Sequence, residues 1–255
     1  MTKNLYIKLL AAACCLVICW ACKKNVLTVS PYDYTEGKAL FKINYSCPYA
    51  LNPGVQIKIN GVRVSNNITY ATPFPGGGLN TGGGNAADYL AINAGVDTVS
   101  LSIPKAGTDI DSILLYKTTV TVDANAYQTL HVSDTAANIQ SVMMTDASAK
   151  ADSGIAKYRF VNLIPNGAVD LYFGTVKMAS NVAFKAATDT FSVAAGSTGA
   201  WSLRLAGGTS TIGATYTSTS TTVNQRVFTI YARGYVGVTV TTDVRLPKVS
   251  FLYNK

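Results

Sequence analysis

Few side chains in this sequence could carry out acid–base or nucleophilic chemistry. His131 is the only histidine of the chain, so a Ser-His-Asp or Cys-His arrangement would have to use it, and no serine in a nucleophile-elbow pattern accompanies it. It stands between Leu130 and Val132 on a predicted strand and has no second imidazole or cysteine with which to share a metal. We therefore predict a surface or strand-face histidine and assign no catalytic, cofactor-binding or metal-binding residue.

Carboxylates and tyrosines remain as weaker candidates for a site. Asp88 and Asp189 lie at equivalent strand starts, as a shared site would require, but an aspartate before a strand commonly accepts backbone hydrogen bonds in a turn, and we favour that role. The 15 tyrosines could offer stacking platforms to a sugar. Four of them crowd the start of the first predicted domain: Tyr32, Tyr34, Tyr45 and Tyr49. Tyrosine also favours strands and packs at the wet edge of a sheet, so we expect packing for most of them and keep glycan or peptide contact as the alternative.

The amino-terminal segment predicts a cellular address. Residues 1–8 carry two lysines and no acid, and residues 9–20 form an apolar run too short to span a bilayer as a mature helix. This pattern is typical of a secretory signal, which we place at residues 1–21. The run Ile18-Cys-Trp-Ala-Cys22 resembles the lipobox of bacterial lipoproteins, because the small Ala21 directly precedes a cysteine at the end of the apolar run.

The lipobox resemblance implies lipid attachment at Cys22. A diacylglyceryl group would alkylate the sulfur, and cleavage before Cys22 would free an amine that can be acylated in turn. Two or more fatty chains, such as palmitate, hold a protein stably at a membrane where one chain does not. Lys23 follows in place of an acidic residue, so the resemblance implies the outer membrane, with the periplasmic side favoured over the cell surface. The alternative is an ordinary cleaved signal that leaves Cys22 as a thiol.

Cysteine usage bears on how the fold is held together. Cys14, Cys15 and Cys19 leave with the signal, so a lipidated Cys22 leaves Cys47 without a disulfide partner. Each domain must then be stabilised by its own core. We predict that Cys47 is a buried small apolar side chain rather than a reactive thiol.

Composition favours one fold class and excludes one class of partner. Charged residues make up only 13% of the chain, while Gly, Ser, Thr and Asn are plentiful, which suits short strands and many turns. Without residues 1–21 the chain keeps 19 basic and 13 acidic residues, a net charge of +6. These basic residues are spread singly along the predicted strands. A nucleic-acid site needs charge gathered on one face, so we expect no nucleic-acid partner.

The elements that must position these residues occur twice. Residues 55–70 and 169–184 each alternate apolar and polar side chains up to a glycine-containing turn and then resume the alternation, and they begin 114 positions apart. A repeat of this size predicts two domains. We therefore predict an all-β protein with two tandem immunoglobulin-like antiparallel β-sandwiches. The predicted divisions are a tether at 22–37, a first domain at 38–146, a linker at 147–154 and a second domain at 155–255.

Two segments depart from the simple alternation. Residues 73–85 are rich in glycine and have no counterpart in the second repeat. No lysine or helical pattern follows them, so they do not predict a phosphate-binding loop, and we expect a mobile surface loop, with a ligand lid as the alternative. Residues 215–222 nearly all bear hydroxyl groups and predict an exposed strand.

Several runs of the second repeat follow the order of a known bacterial family. Residues 159–172, 179–184, 193–196 and 203–209 resemble the domain-of-unknown-function family 4397, and residues 38–146 resemble it more loosely. The resemblance implies secreted, anchored or repeated β-sandwich modules and supplies no catalytic motif. It implies a bacterial lipoprotein that carries two copies of the domain.

These observations together lead to one expectation of function. We expect a lipid-anchored cell-envelope protein of non-enzymatic binding or structural type, with no cofactor. Its partners would be the membrane, through Cys22, and a glycan, a peptide or another envelope protein. The alternative is a carbohydrate-active hydrolase or a glycan-binding accessory protein that uses Tyr and Asp side chains.

Overall fold

The strands of the two repeats pair in the same order and give two similar halves. The computed structural model describes residues 35–254, and these residues lie within one compact unit, Thr35–Lys255. We call residues 38–146 the first half and residues 155–254 the second half. The predictions for the signal, for Cys22, for the tether up to residue 34, and for Tyr32 and Tyr34 fall outside the described residues.

The first half contains strands β1 to β10 and one short 3₁₀ helix, Ala136–Asn138. The strands are β1 (Lys38–Ser46), β2 (Gln56–Ile59), β3 (Val62–Arg63), β4 (Thr72–Phe74), β5 (Gly78–Leu79), β6 (Leu90–Asn93), β7 (Gly95–Pro104), β8 (Asp111–Val122), β9 (Tyr127–Ser133) and β10 (Gln140–Thr145).

The second half contains strands β11 to β18 and a 3₁₀ helix, Thr219–Thr222. The strands are β11 (Ile155–Asn162), β12 (Val169–Phe173), β13 (Val176–Val182), β14 (Phe191–Ala194), β15 (Trp201–Leu205), β16 (Thr211–Tyr216), β17 (Val227–Arg233) and β18 (Lys248–Tyr253).

Each half is a sandwich of two sheets around its own apolar core. In the first half, β10-β9-β1-β4 form one sheet, to which β6 adds by pairing with β1, and β3-β2-β7-β8 form the other. In the second half, β18-β17-β11-β14 and β13-β12-β15-β16 repeat the arrangement, with one bridging residue pair between β16 and β18. The buried apolar side chains form one cluster in each half. The predicted all-β, sandwich-like fold is confirmed.

One strand pair in each half departs from the predicted antiparallel pairing. β1 runs parallel to β9, and β11 runs parallel to β17. Parallel neighbours need a long crossover connection. Here the whole second sheet of each half lies in the chain between the two paired strands, and it supplies that crossover.

The turn chemistry of the first hairpin is confirmed. Asn60 and Gly61 connect β2 to β3 with φ angles of 51° and 82°. Both angles are positive, as a tight two-residue hairpin turn requires.

The glycine-rich segment is not a mobile surface loop over its whole length, and that prediction was wrong. Gly78 and Leu79 form β5, which pairs with Leu252 and Phe251 of β18 in the second half. A Cβ atom on Gly78 would lie 2.7 Å from the Phe251 carbonyl oxygen and 2.4 Å from the Thr81 hydroxyl. Glycine is therefore needed for the close approach of the two backbones, and only the tip of the segment, from residue 82 onward, is exposed.

The hydroxyl-rich run at 215–222 is also not the exposed strand that its composition predicts. β16 ends at Tyr216, and a 3₁₀ turn follows in which the Ser218 side chain accepts a hydrogen bond from the Ser220 amide. Thr221 is buried and accepts a hydrogen bond of 3.1 Å from the indole of Trp201. Local hydroxyl-to-backbone bonds compete with strand pairing, and here they end the strand.

Candidate functional site

A layer of buried polar side chains joins the two halves. On β1 and β9, alternate residues point into the first core, and those between them face β17 and β18 of the second half. We call this set the polar layer: Lys42, Asn44, Thr129, His131, Ser133, Asp146, Thr229, Ser250 and Asn254, all of which are buried. A small apolar cluster lies beside it and also draws on both halves: Met144, Val161, Leu163, Tyr231 and Leu252. The inner sheets of the two halves therefore meet through a mixed polar and apolar surface.

Asp146 lies at the centre of this layer. Its carboxylate accepts hydrogen bonds from the hydroxyls of Thr129 (2.5 Å) and Tyr89 (2.9 Å), and from Thr229 of the second half (3.5 Å). The Asn254 amide donates to the same Thr229 hydroxyl at 2.9 Å. Burial raises the pKa of Asp146, and the hydrogen bond from Thr129 and the positive charge of Lys42 oppose that rise. The network is therefore built to hold a carboxyl group away from water.

Lys42 forms the second cross-link of the layer. Its ammonium donates a 2.7 Å hydrogen bond to the backbone carbonyl of Tyr253 in the second half and lies 4.2 Å from the ring centroid of Tyr89. Burial lowers the pKa of Lys42 to about 8, although the charges of Asp146 and Asp88 act in the opposite direction. A buried charge of this kind requires specific partners, so it favours one particular docking of the two halves.

His131 lies on a strand face, as one of the two predicted alternatives had it, but it is fully buried, so the surface alternative was wrong. It lies on β9 in the polar layer, where the Asn44 amide and the ring Nδ1 are 3.0 Å apart, and its ring centroid is 6.4 Å from that of Tyr231. Burial, and then the positive charges of Lys42 and Arg159, lower the pKa of His131 to about 3. A neutral imidazole can be buried here because the facing surface is another protein surface and not solvent.

A pocket of about 320 Å³ opens at one end of the junction, and we call it the junction pocket. Its walls come from both halves: Pro48, Tyr49, Ala50 and Thr135 from the first, and Tyr235 and Arg245 from the second. The strands place these residues together because β1 and β9 run parallel and end side by side, at Ser46 and Ser133. The loops that follow them therefore meet the loop that follows β17.

Hydrogen bonds fix the two tyrosines of the junction pocket. The Tyr235 hydroxyl donates to the carboxylate of Asp134, a residue that has a positive φ of 73°. Burial, followed by this hydrogen bond, raises the pKa of Tyr235 to about 12. The Tyr49 hydroxyl accepts a 2.9 Å hydrogen bond from the backbone amide of Ala136. Both rings are half-buried, so each keeps part of its surface toward the pocket.

Arg245 is neutralised by its neighbour in the chain. Its Nε and one terminal nitrogen donate to the carboxylate of Asp243 at 3.0 Å and 2.6 Å. The Arg245 carbonyl accepts a 2.8 Å bond from the Tyr235 amide, which ties the guanidinium-bearing segment to the pocket wall. The pocket thus carries no uncompensated positive charge from this residue.

A more open cleft of about 540 Å³ lies at the opposite end of the junction, where Asp146, Arg159 and Asp189 line it. Arg159 crosses between the halves and donates to the carbonyls of Thr188 (3.0 Å) and Thr145 (3.2 Å). Two carboxylate residues thus share one cleft, but they are not the pair that the sequence suggested. In residues 35–254 neither Asp88 nor Asp189 accepts a backbone hydrogen bond through its carboxylate, so the predicted turn-capping role is wrong for both.

Two further side-chain predictions are confirmed. Cys47 is a free thiol, 1% exposed, in the first core, where burial raises its pKa. Tyr45 is packed in the same core. Sequence reasoning singled out Tyr49 but missed Tyr235 and Arg245, because no local pattern brings residues so far along the chain to Tyr49.

Residues 35–254 contain neither a membrane-spanning helix nor a cluster of metal ligands. No helix within residues 35–254 is long and apolar enough to cross a membrane. The same residues hold no group of three or more His, Cys, Asp or Glu side chains that could bind a metal ion.

Comparison with known proteins finds one family model that matches part of the chain. No curated protein matches the sequence. Residues 48–167 match the family model described as Domain of unknown function (DUF4397). The match begins after β1 and ends after β11, so it lies mostly on the first half. The sequence predicted a closer resemblance in the second half, but residues 168–253 are not matched. A second copy of the domain is therefore not matched either. The chain therefore contains a DUF4397-like domain.

Proposed function

We propose that the protein is a lipid-anchored, non-enzymatic component of the bacterial cell envelope that binds a ligand at the junction of its two halves. In this proposal Cys22 carries the acyl chains, the outer membrane is the site of attachment, and each half is an immunoglobulin-like module of DUF4397 type. The observation that carries the binding role is the junction pocket, since both halves contribute side chains to its wall.

The geometry of the pocket supports recognition rather than catalysis. Its hydroxyls and its guanidinium are held in place by Asp134, the Ala136 amide and Asp243. Groups fixed in this way can orient a bound molecule at low entropic cost. A pocket that combines aromatic and apolar side chains with a few oriented polar groups is typical of a small-ligand site.

The anchoring part of the proposal is tested on the protein purified from membranes. We expect the intact mass and the amino-terminal peptide to show Cys22 as the first residue, with a diacylglyceryl group on sulfur and an acylated amine. Cys22→Ala should move the protein out of the membrane fraction, and Cys47→Ala, which removes the buried thiol, should leave it there. An unmodified Cys22, or a Cys22→Ala variant that stays in the membrane fraction, would refute the anchor.

A carbohydrate-active hydrolase is the second candidate, because Asp146 and Asp189 line one cleft and burial raises the pKa of Asp146, as a general acid requires. Against it, the Asp146 carboxylate already accepts hydrogen bonds from the hydroxyls of Tyr89, Thr129 and Thr229. These bonds hold it toward the layer between the halves. We expect no turnover of neutral polysaccharides, and hydrolysis that is lost in Asp146→Asn and Asp189→Asn would favour the hydrolase.

A further inference from the structure

We infer that the ligand of the junction pocket is an uncharged, hydroxyl-rich molecule, namely a single sugar ring of a glycan. This inference depends on the binding role proposed above and narrows it to one chemical class. It follows from the charges, the hydrogen-bonding groups and the size of the pocket.

The charges at the pocket disfavour an anionic ligand. Arg245 supplies one positive charge, which Asp243 cancels through contacts of 2.6 Å and 3.0 Å. Asp134 adds a negative charge directly behind Tyr235. An acidic sugar or a free carboxylate would therefore meet a site with no surplus positive charge, and its desolvation would go uncompensated.

The hydrogen-bonding groups of the pocket include both donors and acceptors. The Tyr49 oxygen accepts from the Ala136 amide, and its own proton has no acceptor within residues 35–254, so it can donate to a ligand. Tyr235 donates its proton to Asp134, so its oxygen can only accept; it accepts the 3.4 Å hydrogen bond of the Thr135 hydroxyl and keeps its other lone pair for a ligand. Sugar hydroxyls donate and accept at once and can satisfy both kinds of group. An ammonium ligand could donate only and would leave the Tyr49 proton unpaired.

The pocket has aromatic and apolar walls, against which the apolar face of a sugar ring can pack. Tyr49 and Tyr235 stand on opposite halves of the molecule, and Pro48 and Ala50 add apolar surface between the polar groups. A cavity of about 320 Å³ is at the small end of the range for ligand sites. It suits one ring better than an extended peptide, which would need a groove or a free strand edge.

The asymmetry of the repeat argues that the pocket is more than a by-product of packing. By strand register, Tyr49 corresponds to Asn166, and Thr135 corresponds to Tyr235. Asn166 instead holds the backbone of Val236 through two bonds of 3.0 Å. The two halves therefore place different side chains at equivalent positions, and the Tyr49 hydroxyl of the pocket comes from this difference.

The inference is tested by titrating the mature chain in detergent with defined probes. The probes are neutral saccharides (glucose, galactose, N-acetylglucosamine and their disaccharides), the acidic galacturonate, the cation ethylammonium, which can only donate, and a tripeptide. Binding is followed by saturation-transfer NMR and calorimetry. We expect at least one neutral saccharide to bind, and no binding of galacturonate, ethylammonium or the tripeptide. Loss of one stacking ring or one hydrogen bond should weaken binding by about tenfold in Tyr49→Ala and Tyr235→Phe.

Controls separate this inference from the broader proposal. Tyr116→Phe removes a hydroxyl that bonds Ser141 at 2.9 Å outside the pocket, so it should leave affinity unchanged, and thermal melts of all variants report whether they fold. At about 50 mM, even ligands with millimolar affinity give a binding signal. If no neutral saccharide binds at that concentration, the inference is overturned. It is also overturned if Tyr49→Ala leaves the affinity for a saccharide unchanged. A tripeptide bound at this pocket would overturn the sugar class while leaving the binding role intact. An unlipidated Cys22 would bear only on the anchor.

Discussion

Acid is expected to weaken the junction of the two halves through His131. The imidazole is fully buried, and the Asn44 amide that faces its Nδ1 at 3.0 Å can donate only to the neutral ring. Protonation would place a positive charge in a layer that already contains Lys42, and Arg159 adds to the repulsion. The pKa of His131 is therefore lowered to about 3 by burial first and by these two charges second.

The size and sign of the effect follow from this shift. Between the ordinary histidine value of 6.5 and about 3, the unfolded chain binds a proton that the folded chain does not. The free energy of unfolding consequently rises with pH across this window and is flat above it. At 1.36 kcal/mol per pKa unit, the loss is about 2 kcal/mol near pH 5 and about 5 kcal/mol near pH 3. Asp146 acts with the opposite sign, because its pKa is raised: its contribution is present at low pH and is lost as pH rises through the folded value.

Urea unfolding of the wild type and of His131→Gln isolates the histidine. Glutamine keeps an acceptor for Asn44 but does not titrate, and His131 is the only histidine of the chain, so the difference between the two proteins reports this group alone. Between about pH 7.5 and pH 5 the wild type should lose about 2 kcal/mol more than the variant. An identical pH dependence in both proteins would refute the burial of a neutral imidazole in the polar layer.

Two further substitutions test the contacts that join the halves, each against a matched control. Asp146→Ala leaves buried hydroxyls without their acceptor and should lower the free energy of unfolding by about 1–3 kcal/mol. Asp189 is exposed, so Asp189→Ala should change the free energy of unfolding by about 0.5 kcal/mol or less. Equal losses of the two variants in urea titrations would contradict the central role of Asp146. Gly78→Val should break the pairing of β5 with β18, since its Cβ would lie 2.7 Å from a backbone carbonyl, and should cost about 1–3 kcal/mol. Gly84→Ala, whose Cβ would meet nothing within 4 Å, should be nearly neutral, and full hydrogen-exchange protection of the Leu252 region in Gly78→Val would contradict the account.

Strand positions and local turns could be predicted from the sequence because their signals are local. Alternation of apolar and polar residues located the hairpin of β2 with β3 and that of β12 with β13, and the glycine of each predicted turn located the connection between the two strands. The absence of a base near Cys47 in the sequence likewise indicated a buried, unreactive thiol. Each of these depends on neighbours within a few residues.

The junction could not be predicted because alternation reports only that a strand face is polar, not what covers it. The alternation places three polar residues on strand faces that would usually meet solvent: Lys42, Asn44 and His131. In the structure the second half covers each of them. The glycines at 76–78 likewise predict a surface loop when only their sequence neighbours are considered. Glycine is needed at position 78 because the backbone of β18, far along the chain, approaches it closely. The pocket residues Tyr49 and Tyr235 meet only once both halves have docked.

The central claim is that the two halves act as one unit through a shared polar layer and a shared pocket. Hydrogen exchange measured across a urea series tests this claim most directly. The amides of β2 and β7 report on the first half, and those of β15 and β17 report on the second half. Trp201 fluorescence is an independent probe of the second core. The account predicts coincident unfolding midpoints for all of these probes in the wild type. A first half that loses protection at a lower urea concentration, while the second half and Trp201 stay native, would contradict it.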